Sequence, residues 1–274
     1  MYDETSRVAF ILKSLVETLR LNEWAIKSTL DYKLVERNVV VNDLGLEFDG
    51  LRILHLSDLH IDAIPDQCEK LISLIKTIDF DLCVMTGDYK FQRCRNDNLC
   101  IDLLSNLVNH LKCVEGVLAI RGNHDTDEFM VKLSSLGVNV LQNHKVRITR
   151  NKAVLDFVGV EDSRASKSHY LFEAMHQVVA TYPTVMLAHT PDLMESAEYL
   201  EVDLYLCGHT HGGQFCLPGS IPVINNTGSP RKYISGPWQY KSLQGYTSKG
   251  AGVTGLPLRV NCPPEVTVHV LRSG

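Results

Sequence analysis

Short apolar segments alternate with helical stretches between residues 51 and 211, and this alternation constrains the fold more than any other feature. Each segment has four to seven residues and consists mostly of apolar residues, which is typical of a buried strand. The segments are 52–56, 82–86, 117–121, 154–160, 185–188 and 204–207. Leu and Ile recur at helical spacing after the first segment and after the second. Strands separated by helices predict an α/β fold layered around sheets.

Five of the six segments are followed by side chains that can bind a metal ion, and only segment 154–160 is not. In chain order these side chains are Asp58, His60, Asp88, Asn123, His124, His189, His209 and His211. Any one of these groups is common by chance, but their conjunction at five strand ends is not. Ligand sites in open α/β sheets lie at the carboxyl ends of the strands. We therefore expect these side chains to meet at one rim of the fold.

The residue types point to hydrolytic metal chemistry. Carboxylate oxygen, amide oxygen and imidazole nitrogen suit Mn, Fe, Zn or Mg. Asp58 and His60 are two residues apart and can hold one ion, since such residues share a side of an extended segment. Asp88 has two oxygens and can bridge two ions. Two ions about 3.5–4 Å apart clamp the attacking and leaving oxygens of a displacement at phosphorus, and a hydroxide between them is the expected nucleophile.

The ordered motifs resemble the signature of the calcineurin-like metallophosphoesterases. They are DLH at 58–60, GD at 87–88, GNHD at 122–125, His189 and GHTH at 208–211. The resemblance implies an α/β sandwich of two sheets flanked by helices, with the active site on loops at the carboxyl ends of the strands. It also implies a metal-dependent phosphodiester or pyrophosphate hydrolase.

The same resemblance assigns a role to each candidate site residue. It implies that one ion is held by Asp58, His60 and His211, and the other by Asn123, His189 and His209. Asp88 would bridge the two. His124 resembles the family histidine that lies beside the phosphate and protonates the leaving oxygen or stabilises its charge. Mn is the expected metal, with Zn, Fe or Mg as alternatives.

One departure from the family leaves a question open. Phosphoprotein phosphatases continue GD as GDxVDRG, and the second Asp of that motif supports the catalytic histidine. Residues 87–93 read GDYKFQR and lack it, which disfavours a protein phosphatase and leaves the partner of His124 undetermined. Asp125 could accept a hydrogen bond within the site or cap the following helix, and the sequence does not separate these roles.

A longer string extends the resemblance to one branch of the family. GHTHGGQ at 208–214, with KGAG at 249–252 and PEV at 264–266, is similar to bacterial phosphodiesterases that include the chlamydial-type UDP-2,3-diacylglucosamine pyrophosphatases of lipid A synthesis. That likeness implies a lipid-linked nucleotide sugar as substrate, with Phe215, Leu217 and Ile221 near its acyl chains. The alternatives are a general or cyclic-nucleotide phosphodiesterase and, from another class, an inactive binding scaffold.

The remaining sequence features limit which partners the protein can have and where in the cell it is expected. Lys and Arg number 27 against 32 Asp and Glu, giving a net charge of −5 that disfavours nucleic acid as a partner. Eight cysteines without a CxxC pair favour a reducing compartment. No apolar run reaches about 18 residues, and the first residues lack a basic region. We expect a cytoplasmic protein with an amphipathic helix near 8–19, and peripheral contact of residues 1–30 with the inner membrane as a further expectation.

Other motifs receive structural interpretations, and the chain is expected to form one domain. The GxGxxG pattern at 250–255 is interpreted as a glycine loop, because Pro257 blocks the helix that a dinucleotide site needs. His55 and His110 are expected to be structural. Arg121, Arg164, Arg231 and Lys232 are candidates for phosphate contact, although solvation is the commoner fate. Residues 1–274 divide into an N-terminal helix and strand (1–50), a metal-binding core (51–217) and C-terminal loops and strands (218–274).

Overall fold

A computed structural model describes residue 18 and residues 21–91, 97–160, 182–223 and 227–274. In chain order the strands of the first sheet are β1 (Lys33–Val41), β2 (Arg52–Leu56), β3 (Leu82–Met85), β4 (Val117–Ala119), β5 (Asn139–Val140) and β14 (Glu265–Ser273). Those of the second are β6 (His144–Arg150), β7 (Ala153–Gly159), β8 (Thr184–Leu187), β9 (Leu204–Cys207), β12 (Gly236–Tyr240) and β13 (Leu243–Thr247). The hairpin β10 (Cys216–Leu217) and β11 (Ile221–Pro222) forms a small third sheet.

Five α-helices accompany the strands in the described residues. They are α1 (Asn22–Thr29), α2 (Glu69–Ile75), α3 (Asp97–Val108), α4 (Asp127–Ser134) and α5 (Met194–Tyr199). None of the helices in these ranges is long and apolar enough to cross a bilayer. The helix expected near residues 8–19 lies outside the described residues.

The two six-stranded sheets pack face to face, with helices on their outer sides. The strand order is β1-β14-β2-β3-β4-β5 in one sheet and β12-β13-β9-β8-β7-β6 in the other. The core between them contains Ile53 and Val84 from the first sheet and Phe157, Val185 and Leu206 from the second. A second core joins the first sheet to α2, α3 and α4, and a third joins the second sheet to α5. The predicted two-sheet α/β sandwich is confirmed.

Parallel register brings the strand ends to a common edge. Leu56 pairs with Met85, and Met85 pairs with Ala119, so β2, β3 and β4 end at the same level. In the second sheet Leu187 pairs with Leu206, which aligns the ends of β8 and β9. The loops that follow these five strands carry the side chains selected from the sequence.

Local signals explain why α4 begins where it does. Thr126 is the N-cap, and its side chain accepts a hydrogen bond from the backbone N–H of Phe129. Asp127 and Glu128 place negative charge in the first turn, where the helix dipole favours it. The GNHD loop is therefore followed directly by a capped helix, which fixes the end of that loop.

Candidate metal centre

The candidate ligands gather into two buried clusters at the common edge of the strands. Asp58, His60 and His211 form the first, and Asp88, His189 and His209 form the second. In each cluster the three ligand atoms lie within 4.8 Å of one another. Side chains that are far apart in the chain thus share one small volume.

Asp88 lies where the clusters meet. Its Oδ2 atom is 3.8 Å from Nε2 of His60 in the first cluster and 3.3 Å from Nε2 of His189 in the second. A carboxylate within reach of histidines from both groups can contact two ions at once. This is the position that the bridging role requires.

Asn123 completes the second group. Its Oδ1 atom lies 3.1 Å from Nε2 of His189, and Nδ1 of His209 lies 3.1 Å from the same nitrogen. In the first group, Nε2 of His60 is 3.2 Å from Nε2 of His211. All seven sequence-predicted ligands are therefore brought together.

The tautomers of two histidines suit metal binding. Nδ1 of His60 lies 3.0 Å from the carbonyl oxygen of Lys90, and Nδ1 of His189 lies 2.7 Å from that of Thr86. A carbonyl oxygen only accepts, so Nδ1 carries a proton in each ring, and Nε2 faces the cluster and offers its lone pair there once the ring is neutral, as a metal ligand must be. Convergent lone pairs in a buried oxygen and nitrogen donor set fit two divalent ions.

Strained backbone marks the site independently of the side chains. Five of the seven predicted ligands have positive φ angles: Asp58 (49°), His60 (39°), Asp88 (57°), His209 (69°) and His211 (51°). Non-glycine residues rarely adopt this conformation, and when they do they cluster at functional sites. The folded core therefore holds these ligands in conformations that the free chain disfavours.

Burial and neighbouring charges shift the pKa values of the central side chains in different directions. Burial opposes ionisation of Asp88, but the neighbouring His189, His60 and His124 hold its pKa well below its usual value. Burial also opposes protonation of His189, but the Asp88 and Asp58 carboxylates raise its pKa to about 10. Burial lowers the pKa of His60 and, more strongly, that of His211. His189 is thus the ligand that carries an extra proton at neutral pH before an ion binds.

His124 has an orienting partner that the motif did not reveal. Its Nδ1 donates a hydrogen bond to the carbonyl oxygen of Phe91 at 2.6 Å, and its Nε2 lies 4.0 Å from Oδ2 of Asp88. The ring is 30% exposed, so it borders both the clusters and solvent. The partner of His124 that the sequence left undetermined is thus a backbone carbonyl.

Asp125 joins two of the site loops to each other. Its carboxylate accepts hydrogen bonds from the backbone N–H groups of Asp88 (2.8 Å), Tyr89 (3.0 Å) and Gly122 (2.9 Å). The helix cap that follows is Thr126. Of the two roles left open by the sequence, acceptor within the site is the one observed.

Arg259 is a residue that sequence reasoning missed. Its buried guanidinium donates to the carbonyl oxygens of Lys249 (2.8 Å), Gly250 (3.0 Å) and Cys262 (3.2 Å). It thereby holds loop 249–252, whose Ala251 and Gly252 N–H groups bond to the carbonyl oxygens of Ser57 and Asp58. The only signal in the sequence was a lone arginine between Leu258 and Val260.

Four basic side chains were candidates for contact with phosphate. Arg121 forms an ion pair with Asp127 on α4, while Arg231 and Lys232 are exposed on the loop before β12. Arg164 lies outside the described residues. The described residues therefore give these side chains no position that marks a phosphate contact.

Comparison with known proteins identifies the family. The model of the calcineurin-like phosphoesterases matches residues 51–213. The chain is 31% identical to the uncharacterised metallophosphoesterase YkoQ of Bacillus subtilis, over 85% of this chain and 90% of that protein. It is 32% identical to the phosphodiesterase YaeI of Escherichia coli, over 79% of this chain and 80% of that protein.

A solved structure with a related outline is TT1561 of Thermus thermophilus, with a TM-score of 0.49 and 11% identity over 73% of this chain and 90% of that one. The family match covers more than half of the chain and includes both clusters. The chain therefore belongs to the calcineurin-like phosphoesterases and is a metal-dependent phosphoesterase.

Proposed function

We propose that this protein hydrolyses phosphodiester or pyrophosphate bonds with two divalent ions. One ion would be held by Asp58, His60 and His211, the other by Asn123, His189 and His209, with Asp88 between them. The observation that carries the proposal is the pair of buried clusters that meet at Asp88. Two ions in such a site supply Lewis acidity at phosphorus and lower the pKa of water.

His124 is the residue that would act on the leaving group. The Phe91 carbonyl holds Nδ1 of His124, which leaves Nε2 facing Asp88 and the clusters. From there Nε2 can deliver a proton to the leaving oxygen, or stabilise its charge. Because His124 is partly exposed, a group that leaves beside it would depart toward solvent.

Two observations favour diesters over monoesters of phosphoproteins. The relative YaeI is named a phosphodiesterase. The chain also lacks the GDxVDRG continuation of phosphoprotein phosphatases. A cyclic-nucleotide or general phosphodiesterase activity remains the alternative within this class.

We propose a lipid-linked nucleotide sugar, UDP-2,3-diacylglucosamine of lipid A synthesis, as the narrower substrate. Support comes from the hairpin that follows the His211 segment, where Leu217, Ile221 and Val223 are each about half exposed. Exposed apolar side chains on the segment that follows His211 suit acyl chains. It also suits a cytoplasmic protein that touches the inner membrane peripherally.

The test is a panel of substrates, each assayed with Mn, Zn, Fe or Mg. We expect hydrolysis of bis-p-nitrophenyl phosphate and of nucleotide-sugar pyrophosphates to exceed that of p-nitrophenyl phosphate. Cleavage of monoesters alone would contradict the diester proposal. Efficient cleavage of simple diesters with UDP-2,3-diacylglucosamine left intact would remove the lipid A proposal and leave the rest standing.

A further inference from the structure

A buried chain of hydrogen bonds runs from the core of the first sheet to Asp58. Ser57 Oγ lies 2.6 Å from Asp58 Oδ2, and Thr86 Oγ1 lies 2.6 Å from Ser57 Oγ. His55 Nε2 lies 2.9 Å from Thr86 Oγ1, and its Nδ1 lies 3.3 Å from Nε2 of His269. All five side chains are buried. We call His269, His55, Thr86 and Ser57 the Asp58 relay.

The protons of the relay have one consistent arrangement. The Ser57 hydroxyl donates to the Asp58 carboxylate. A hydroxyl has a single proton, so Ser57 accepts from Thr86, and Thr86 accepts from His55 Nε2. Burial lowers the pKa of His55 to about 3, so this ring is neutral and its Nδ1 accepts from His269. Every donor in the relay therefore points toward Asp58.

The far end of the relay is held between the two sheets. The ring of Tyr246, from β13, packs edge-on against His269 with centroids 4.9 Å apart. Burial holds the pKa of His269 well below its usual value, so this ring is neutral as well. Its Nδ1 has no hydrogen-bond partner among the described residues, as expected for a relay whose first proton sits on Nε2.

The near end fixes how the Asp58 carboxylate is rotated. Oδ2 receives the Ser57 hydroxyl, and the backbone N–H of His209 lies 2.9 Å from Oδ2 and 3.1 Å from Oδ1. Oδ1 lies 3.6 Å from Nε2 of His211, inside the first cluster. The Ser57 hydroxyl binds Oδ2, so Oδ1 is the oxygen that faces His211 in the first cluster.

We propose that the Asp58 relay is a positioning device that sets the affinity of the first metal cluster. This inference rests on the proposed function, since it assumes that Asp58 binds an ion. The relay's side chains touch Asp58 and none of the second cluster's side chains; the Thr86 carbonyl that holds Nδ1 of His189 belongs to the backbone and is kept when the Thr86 side chain is replaced. Its effect should therefore fall on one of the two ions.

The first experiment compares Thr86→Val with Thr86→Ser and with Thr184→Val, using Mn²⁺ as the probe. Thr184 is a buried threonine at the start of β8, whose hydroxyl donates to the Tyr182 carbonyl. Calorimetric titration should resolve two binding steps in the wild type. We expect Thr86→Val to weaken one step roughly ten- to a hundredfold, the usual cost of losing a residue that orients a ligand. Thr86→Ser keeps the hydroxyl and should retain both steps, as should Thr184→Val.

The outcomes separate the inference from the proposed function. Two unchanged steps in Thr86→Val would overturn the relay and leave the proposed function intact. A wild type that binds none of Mn²⁺, Zn²⁺, Fe²⁺ and Mg²⁺ would overturn both. If Thr86→Val does not fold, Ser57→Ala removes the last link of the relay and is expected to weaken the same step.

A second measurement needs neither metal nor a variant. Nitrogen-15 chemical shifts distinguish the two tautomers of a neutral histidine. We expect His55 and His269 both to carry their proton on Nε2. A proton on Nδ1 of either ring breaks the direction of the relay and would overturn the inference.

Discussion

Asp88 and His124 lie side by side but differ in what they contact. Asp88 reaches histidines of both clusters through one oxygen, and its other oxygen accepts the backbone N–H of His124 at 2.8 Å. His124 has one nitrogen on a carbonyl and one toward the site. Removing the two side chains should therefore have separable effects.

We expect Asp88→Ala to abolish turnover and to lower metal content, because a shared ligand is lost. His124→Ala should lower kcat roughly 10²–10⁴-fold, the usual contribution of a general acid. It should leave both ions bound. Steady-state kinetics and elemental analysis on the same preparations check both expectations. Equal loss of metal from the two variants would assign His124 to the ligands instead.

The proton on His189 predicts how metal affinity depends on pH. Its pKa of about 10 before an ion binds means that the ring is protonated at pH 7, and a metal ligand must be neutral. Binding therefore displaces this proton, and affinity for the ion at His189 should rise about tenfold per pH unit through the neutral range. Calorimetry at pH 7 in buffers of different ionisation enthalpy should show about one proton released per chain. An affinity that stays constant from pH 6 to pH 8 would contradict this.

At the residue scale the sequence predicted which side chains meet but not what holds them. The seven candidate ligands and His124 could be selected because their residue types and strand-end positions are visible in the sequence. The Phe91 carbonyl could not, since every residue has a carbonyl and only the fold aims one at His124. His55 was expected to be structural, and its contact with Thr86 depends on the register between β2 and β3.

Loop 249–252 is the element that lies against the first cluster from the C-terminal part of the chain. A Cβ atom on Gly250 would lie 2.8 Å from Cβ of Asp58, and the φ angle of this glycine is 75°. Gly255 has a similar φ of 71°, but a Cβ there would meet no atom within 4 Å. The two glycines thus share a left-handed backbone conformation and differ in proximity to the site.

We expect Gly255→Ala to destabilise the fold by about 1–2 kcal/mol, the cost of a left-handed Ala, and Gly250→Ala to destabilise it by more, because its methyl group also meets Asp58. Only Gly250→Ala should also lose turnover, at least about tenfold, because its methyl group displaces Asp58. Thermal unfolding and kcat, measured on both variants, make the comparison. Full activity in Gly250→Ala would show that Asp58 tolerates movement of this loop.

At the element scale the sequence predicted the buried strands and the half-exposed β1, and it missed other half-exposed strands. The segments that became β2, β3, β4, β7, β8 and β9 are mainly apolar, so they stand out from their surroundings. Strand β6 alternates charged and apolar residues, and β5 has two residues. Strand β12 contains Pro237, which argues against a strand when the sequence is taken alone. Loop 250–255 was expected to be a loop and is one.

At the scale of the whole molecule, each metal cluster takes its ligands from loops of both sheets. The first cluster draws Asp58 and His60 from the first sheet's loops and His211 from the second's, and the second cluster is likewise mixed. An ion bound there connects loops from both layers. We propose that residues 1–274 form one domain, supported by the pairing of β1 with β14.

Metal ions should therefore stabilise the entire fold in a single transition. An ion at one hundred times its dissociation constant contributes about 2.7 kcal/mol. At about 2–4 °C per kcal/mol for a chain of this size, the melting temperature should rise roughly 5–10 °C for each site filled. Differential scanning calorimetry with EDTA or with added Mn²⁺ tests this. Two separate transitions, only one of them metal-dependent, would contradict the one-domain proposal.

Strand β14 lies between β1 and β2, although more than two hundred residues separate it from them in the chain. During synthesis, β1 and β2 emerge from the ribosome long before the strand that joins them. The growing polypeptide therefore exposes two unpaired strand edges, which are prone to associate with other chains. Translation must pass residue 265 before this sheet can close, so a stalled ribosome would release a fragment prone to aggregation and degradation.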